Sequence, residues 1–241
     1  MTELLHMRDN YLREFDATVK QVGANYVVLD RTAFYPEGGG QVGDRGELLS
    51  ERLRAVVIDT KKAEGTVRHI IADENRFSPG MAVHGSLDWS WRYQCMRYHT
   101  AQHVLSRLLQ LTFGLETVGN HVAPGESRAD FSPVNDISDV MRKEIEDGVN
   151  EIFSEGLPVE IRFMPREEAT TFLHEMGYQT RYLEMVPKEV SEFRVVQIGN
   201  WDASSCAGTH VANTREVGRL SILRTKNVGA QKQRIYFTLY E

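Results

Sequence analysis

At 241 residues, 41% hydrophobic and 26% charged, the chain has a globular composition and enough length for one large domain or two modest ones. Disorder is excluded by that balance, and no apolar run approaches the length a bilayer requires. A net charge of −6 argues against a uniformly basic nucleic-acid binder, so any contact with phosphates has to be local. The two cysteines, Cys95 and Cys206, lie far apart and form no disulfide framework, which fits a reducing cytoplasm. The opening residues Met1 to His6 lack the basic-then-apolar pattern of a secretory signal, so a cytoplasmic protein is expected.

The first ninety residues read as short strands separated by turns. Phe15–Lys20, Tyr26–Asp30, Arg54–Thr60, Thr66–Ile71 and Ala82–Leu87 are rich in β-branched and aromatic residues. Gly23-Ala24-Asn25, Gly43-Asp44-Arg45-Gly46 and Ser78-Pro79-Gly80 supply turn chemistry between them. Several short strands without helical periodicity predict a small β-barrel over residues 1–88.

At Asp88 the pattern changes. Asp88 can cap a helix from Trp89, along which Met96, Thr100, His103, Val104, Leu108 and Leu111 recur at helical spacing until Gly114. A second helix is predicted from about Ile137 to Phe153, with Asn135 and Asp136 as candidate caps and Gly156 and Pro158 as stops. Pro158–Met164 reads as a strand, and Pro165 opens a short helix ending at Gly177. Further strands are expected at Phe193–Ile198, Leu220–Leu223 and Ile235–Leu239. Helices followed by strands make residues 89–241 an α+β domain, and the chain as a whole α+β.

Charge is unevenly spread. Asp139 to Glu160 holds seven acidic and two basic residues, whereas Ala212 to Glu241 holds six basic and two acidic ones. The expectation is one acidic and one basic pole, the latter a possible phosphate-binding face, with ordinary surface clustering as the alternative.

His99 and His103 stand four residues apart on the predicted first helix, on one face and a turn apart. Alone, this spacing also suits two polar helix positions. Cys206-Ala207-Gly208-Thr209-His210 repeats the spacing with a thiol and an imidazole. A thiolate with three imidazoles is a donor set that zinc favours over magnesium or calcium, so the two pairs predict one zinc ion per chain. The metalloprotease helix His-Glu-x-x-His has the same spacing, but Thr100 occupies the position of its glutamate base, so peptidase chemistry is not expected. Cys95 reads as a free buried thiol, and His6, His69, His84 and His174 as core or surface residues.

Gly38, Gly39 and Gly40, in Phe34-Tyr35-Pro36-Glu37-Gly38-Gly39-Gly40-Gln41, fit neither a Walker loop nor a dinucleotide fingerprint. Two readings stand: a hairpin corner, or bare backbone that with Gln41 docks the aminoacyl or nucleic-acid end of a substrate.

These motifs together resemble the alanyl-tRNA editing proteins (the AlaX family) and the editing domain of alanyl-tRNA synthetase. The resemblance rests on the Phe34–Gln41 segment with Gly43-Asp44-Arg45-Gly46, on Met96–His103, on Cys206–Val211, and on the basic tail around Lys226 and Gln233–Phe237. Val42 stands where the family motif usually has proline. The absence of a long helical extension points to the medium-length freestanding class. What the resemblance implies is an N-terminal β-barrel followed by a zinc-dependent editing domain. Its activity would be deacylation of serine, with glycine as a further candidate, wrongly attached to tRNA(Ala), while Ala-tRNA(Ala) is spared.

An apolar synthetic pocket cannot strongly reject a residue that merely adds a hydroxyl, so a second hydrolytic sieve is required. Thr100, Asn120 and Gln41 are the candidates for recognising the serine hydroxyl. Three protein ligands plus water would let zinc generate hydroxide, whereas four would close the site and leave zinc to position substrate. The rival functions are a non-catalytic tRNA-binding module with structural zinc and a zinc deacylase for another misacylated tRNA. No oligomeric state is assigned.

Overall fold

The computed structural model describes residues 2–241 other than 52, 73, 179–182, 184, 185 and 187–189. The chain divides into two compact units, Met1–Met96 and Arg97–Glu241. Among the described residues no helix is long and apolar enough to cross a membrane.

The first unit contains β1 (Glu3–Leu4), β2 (Glu14–Val22), β3 (Tyr26–Leu29), β4 (Arg31–Thr32), β5 (Gly46–Leu49), β6 (Arg54–Ala63), β7 (Thr66–Ile71) and β8 (Ala82–Leu87). Six of these close into a barrel in the order β2-β3-β7-β6-β5-β8, and β1 and β4 form a short parallel pair. The expected barrel is therefore present. Alternation explains its core. Phe15, Ala17 and Val19 of β2, Ala55 and Val57 of β6 and Val83 and Leu87 of β8 point inward, with Phe34 and Phe77 from the connections filling the interior. β5 escaped the sequence reading because Gly46 and Glu47 break its pattern, yet its pairing with both β6 and β8 completes the closure.

One inward position on β7 is polar. His69 is fully buried, with Nδ1 3.0 Å from the Val27 carbonyl and Nε2 2.8 Å from the Thr32 hydroxyl. Burial holds its pKa down at about 4, so the ring is neutral, donating to Val27 and accepting from Thr32.

Helix α1 (Trp89–Phe113) begins in the first unit and continues into the second. The Asp88 carboxylate accepts from the Trp91 N–H at 3.1 Å, confirming that residue as the cap. The second unit then holds β9 (Glu116–His121), β10 (Ser127–Ser132), α2 (Asp139–Glu155), β11 (Val159–Pro165), α3 (Arg166–Glu175), β12 (Glu192–Ile198), β13 (Asp202–Ser205), β14 (Arg219–Gly229) and β15 (Lys232–Tyr240). They make an antiparallel sheet β14-β15-β10-β9 and a second one, β11-β12-β13. Fold class is α+β, as expected.

Three local expectations need correction. Helix α2 is capped by Ser138, whose side chain accepts from Met141 N–H, and not by Asn135 or Asp136; Ile137 stays outside the helix, buried. The last two strands are a long hairpin, far beyond Leu220–Leu223 and Ile235–Leu239, because backbone pairing across Asn227↔Gln233 carries polar residues into the ladder. The acidic and basic segments are not opposite poles. Glu146 of α2 accepts from the Ser221 hydroxyl and the Ile222 N–H of β14, and Asn150 pairs with the backbone of Leu220. Arg224 and Arg234 are matched by Glu126 and Asp130.

Candidate metal centre

The i, i+4 spacing on α1 does what helical geometry requires. His99 and His103 sit a turn apart with ring centroids separated by 5.3 Å. β13 delivers the other pair. It leads directly into Cys206, and the turn that follows brings His210 back, its ring centroid 4.5 Å from that of His99 and 4.7 Å from that of His103. One donor atom from each of His99, His103, Cys206 and His210 lies within 4.8 Å of all the others, a group that could hold a metal ion. Cys206 Sγ is 3.6 Å from His99 Nε2 and 3.4 Å from His210 Nε2.

His103, His210 and Cys206 are held from behind. His103 Nδ1 is 3.2 Å from the Asp202 carboxylate and 3.2 Å from the Ser204 hydroxyl, leaving Nε2 for the centre. His210 Nδ1 is 3.1 Å from Thr100 Oγ1, which also accepts from the Val211 N–H at 3.3 Å. The Gly208 N–H donates to Cys206 Sγ at 3.3 Å. Arg194 donates to the Cys206 carbonyl.

Gly208 is demanded by space. A Cβ built there would lie 2.0 Å from His99 Cε1 and 2.3 Å from His99 Nδ1, so any other residue displaces either the turn or the ring.

The electrostatics suit metal donors. Burial alone would raise the Cys206 thiol pKa, but the histidines around it pull it well below the ordinary thiol value and favour thiolate. Burial and the neighbouring His99 push His210 well below the usual imidazole value, so it is neutral. Burial also works against charge on His103, yet Asp202 and Cys206 outweigh it and raise its pKa to about 10. The centre thus offers a thiolate at Cys206 and a neutral imidazole at His210, and His103 would have to lose its proton to serve as a donor beside them.

The remaining predicted residues fall into two groups. Asn120, on β9, donates from Nδ2 to Gln102 Oε1 at 3.3 Å, and Gln102 donates in turn to Ser106, which also accepts from Thr117. Gly38 to Gln41 belong to the first unit. There the Gly38 N–H and carbonyl pair with the carbonyl and N–H of Gln41 at 3.1 and 3.0 Å, around Gly39 and Gly40 at φ of 56° and 86°. Two consecutive positive φ values define a type I′ turn, and the Tyr35 hydroxyl braces it by donating to the Gly38 carbonyl at 2.6 Å. Behind the turn, Asp44 accepts from the Tyr35 N–H at 2.6 Å and from Arg92 Nε at 2.9 Å, and both Asp44 and Arg92 side chains are fully buried. Cys95 is a free buried thiol, its pKa raised by burial.

Sequence reading missed Asp202, Ser204 and Gly208. The signal was present: Asp202-x-Ser204-x-Cys206 has the period of two that puts alternate residues on one face of a strand. Asp202–Ser205 is too short and polar to announce itself as a strand.

Comparison with known proteins gives the same direction. The family described as tRNA synthetases class II (A) matches residues 2–91, and the threonyl and alanyl tRNA synthetase second additional domain matches residues 193–236. Alanyl-tRNA editing protein AlaX-M of Saccharolobus solfataricus is 35% identical over 241 residues, covering 99% of both chains. The protein of the same name from Methanosarcina acetivorans is 38% identical over the full length of both. The chain also aligns in full, at 37% identity, with 26% of the alanine–tRNA ligase of Thermococcus kodakarensis. By its full-length likeness to the AlaX-M proteins, the chain belongs to the alanyl-tRNA editing protein family.

Proposed function

We propose that the protein is a trans-editing hydrolase that deacylates Ser-tRNA(Ala), and Gly-tRNA(Ala) as a second substrate, while sparing Ala-tRNA(Ala), in the cytoplasm. The observation that carries this reading is the convergence of His99, His103, Cys206 and His210 in a chain of the editing family. We assign zinc, one ion per chain, to those four side chains. Zinc–nitrogen bonds of about 2.0–2.1 Å and a zinc–sulfur bond of about 2.3 Å give tetrahedral edges of roughly 3.3–3.6 Å. The Cys206 separations of 3.6 and 3.4 Å from His99 and His210 fit that range. A bound zinc ion supplies Lewis acidity and, if one position opens, a water of lowered pKa.

The residues themselves do the selecting and holding. Asp202 and Ser204 fix the His103 ring, and Thr100 fixes that of His210. With His210 Nδ1–H and Val211 N–H both donating to its oxygen, Thr100 keeps its own hydroxyl proton to give. That supports Thr100 as the donor to the serine hydroxyl. Alanine would leave such a donor unpaired, which is how a site of this kind rejects the correct amino acid. Asn120, held by Gln102, is assigned to substrate binding, and within the first unit the Gly38–Gln41 turn is assigned to docking the aminoacyl or the nucleic-acid end of the substrate. The ester is already activated, so orientation and stabilisation of the oxyanion supply most of the acceleration.

A second reading has one observation in its favour. Four converging protein donors make a closed site, as in structural zinc modules that bind tRNA without reacting. The test is metal analysis with a deacylation assay. One equivalent of zinc and serine release from Ser-tRNA(Ala), both lost in folded His99→Ala and Cys206→Ala proteins, support the hydrolase. Zinc-replete protein that binds tRNA and releases nothing supports the module. Release of an amino acid from a different misacylated tRNA alone would identify another deacylase.

A further inference from the structure

In a chain of net charge −6, the arginines left without a carboxylate show where RNA phosphates can be met. In the first unit Arg31, Arg54 and Arg68 are matched by Glu3, Glu47 and Glu64, and Arg92 is buried on Asp44. Arg13 and Arg45 differ from these four, and from the exposed Arg76, which also lacks a carboxylate partner among the described residues, in how they are held. Both are exposed, and among the described residues neither pairs with a carboxylate. Each rests on an indole: the Arg13 guanidinium carbon lies 4.2 Å from the Trp89 ring centroid and that of Arg45 3.6 Å from Trp91.

Topology places the two stacks together. Arg13 immediately precedes β2 and Arg45 immediately precedes β5, the strands on either side of β8. Their carbonyls accept from consecutive N–H groups at the end of β8, Arg13 from Leu87 at 2.9 Å and Arg45 from Asp88 at 2.8 Å. Two strand spacings, about 10 Å, therefore separate the two backbones. Trp89 and Trp91, two residues apart at the start of α1, project to different sides and take one arginine each. Trp91 is fixed further by donation from Nε1 to the Gly43 carbonyl at 3.0 Å.

Stacking on a ring face leaves the charge intact and limits the rotamers of a long side chain, while the N–H edges of the guanidinium stay in water. That edge is the part that binds phosphate in bidentate fashion. We propose that Arg13 and Arg45, pre-set on Trp89 and Trp91, form a two-pronged phosphate clamp for the RNA of the substrate on this rim of the barrel. The clamp deepens the proposed function and rests on its reading that the substrate is a tRNA.

The test is equilibrium binding of unacylated tRNA(Ala) to the full chain between 50 and 300 mM KCl, with a single-stranded oligonucleotide and inorganic phosphate as comparison probes. Each phosphate contact contributes about 0.7–0.9 to the slope of log affinity against log salt. The double variant Arg13→Gln/Arg45→Gln is expected to bind about tenfold or more weakly at 100 mM KCl, with a slope shallower by about 1.5. The Lys double variant is expected to keep the slope and lose part of the affinity, since charge remains without the stack. Wild-type chemistry gives a check independent of variant folding: tRNA should shield Arg13 and Arg45 from phenylglyoxal, read by mass spectrometry. Unchanged slope and affinity in a folded double variant, or no shielding, overturns the clamp; binding of phosphate or single strand as strong as tRNA overturns its assignment to the substrate. If wild-type protein shows the shielding but releases no serine, the hydrolase reading fails and the clamp stands. Serine release without shielding has the opposite meaning.

Discussion

At Gly208 the backbone passes so close to His99 that the missing Cβ is a condition for the metal group to assemble. Gly208→Ala is expected to lower zinc affinity at least tenfold in protein that remains folded, measured by competition with a chromogenic chelator. Wild-type affinity in that variant would show that the turn and ring can separate without loss. Asp202 is a positioning residue: it touches His103 Nδ1 and orients Nε2. Removing such an outer partner costs about 10–100-fold in metal affinity, and Asp202→Asn is expected to fall in that range, whereas an unchanged dissociation constant would make Asp202 dispensable. The convergence of the four side chains was legible from residue type and spacing together: i, i+4 puts His99 and His103 on one helix face, and the thiol–imidazole pair Cys206 and His210 complements them. Their supporting residues were not, since hydrogen bonds to ring nitrogens across about a hundred residues leave no local pattern in the chain.

The barrel is the element most readable in advance, through its alternating strands, and the first unit contains two polar choices whose cost can be measured. Arg92 donates to Asp44, to the Ala33 carbonyl at 2.5 Å and to the Asn10 carbonyl at 2.9 Å, all out of water. Arg92→Met leaves a carboxylate buried without its cation and is expected to destabilise by about 3–5 kcal/mol in urea unfolding. A loss under about 1 kcal/mol would mean that water reaches Asp44 in the variant. His69 sets a pH dependence. Its folded pKa of about 4 lies below the unfolded value of about 6.5, so the unfolded chain takes up the proton first. Stability from this group is complete above about pH 6.5 and declines as pH falls towards 4, by about 3 kcal/mol. His69→Gln keeps a donor for Val27 and an acceptor for Thr32 and is expected to flatten the profile over that interval. An identical profile would place the titration elsewhere. Strands β5, β9, β10 and β13 were not legible, because Gly46, Gly119, Asn120, Asp130 and Asp202 are poor strand formers held by pairing with neighbours.

For the whole molecule, the full-length likeness to AlaX-M proteins and the four-donor centre converge on ester hydrolysis of misacylated tRNA. Net charge alone pointed away from RNA, and the proposed clamp of Arg13 and Arg45 would give phosphates a local point of contact. The central claim is selectivity for an added hydroxyl, and one measurement addresses it most directly. Zinc-replete protein is incubated in parallel with Ser-tRNA(Ala) and Ala-tRNA(Ala), and the initial rates of amino-acid release are compared. The account predicts serine release faster than alanine release by about a hundredfold or more, the discrimination available to a site that must satisfy a buried polar donor. Equal rates, or no release of serine, would contradict it.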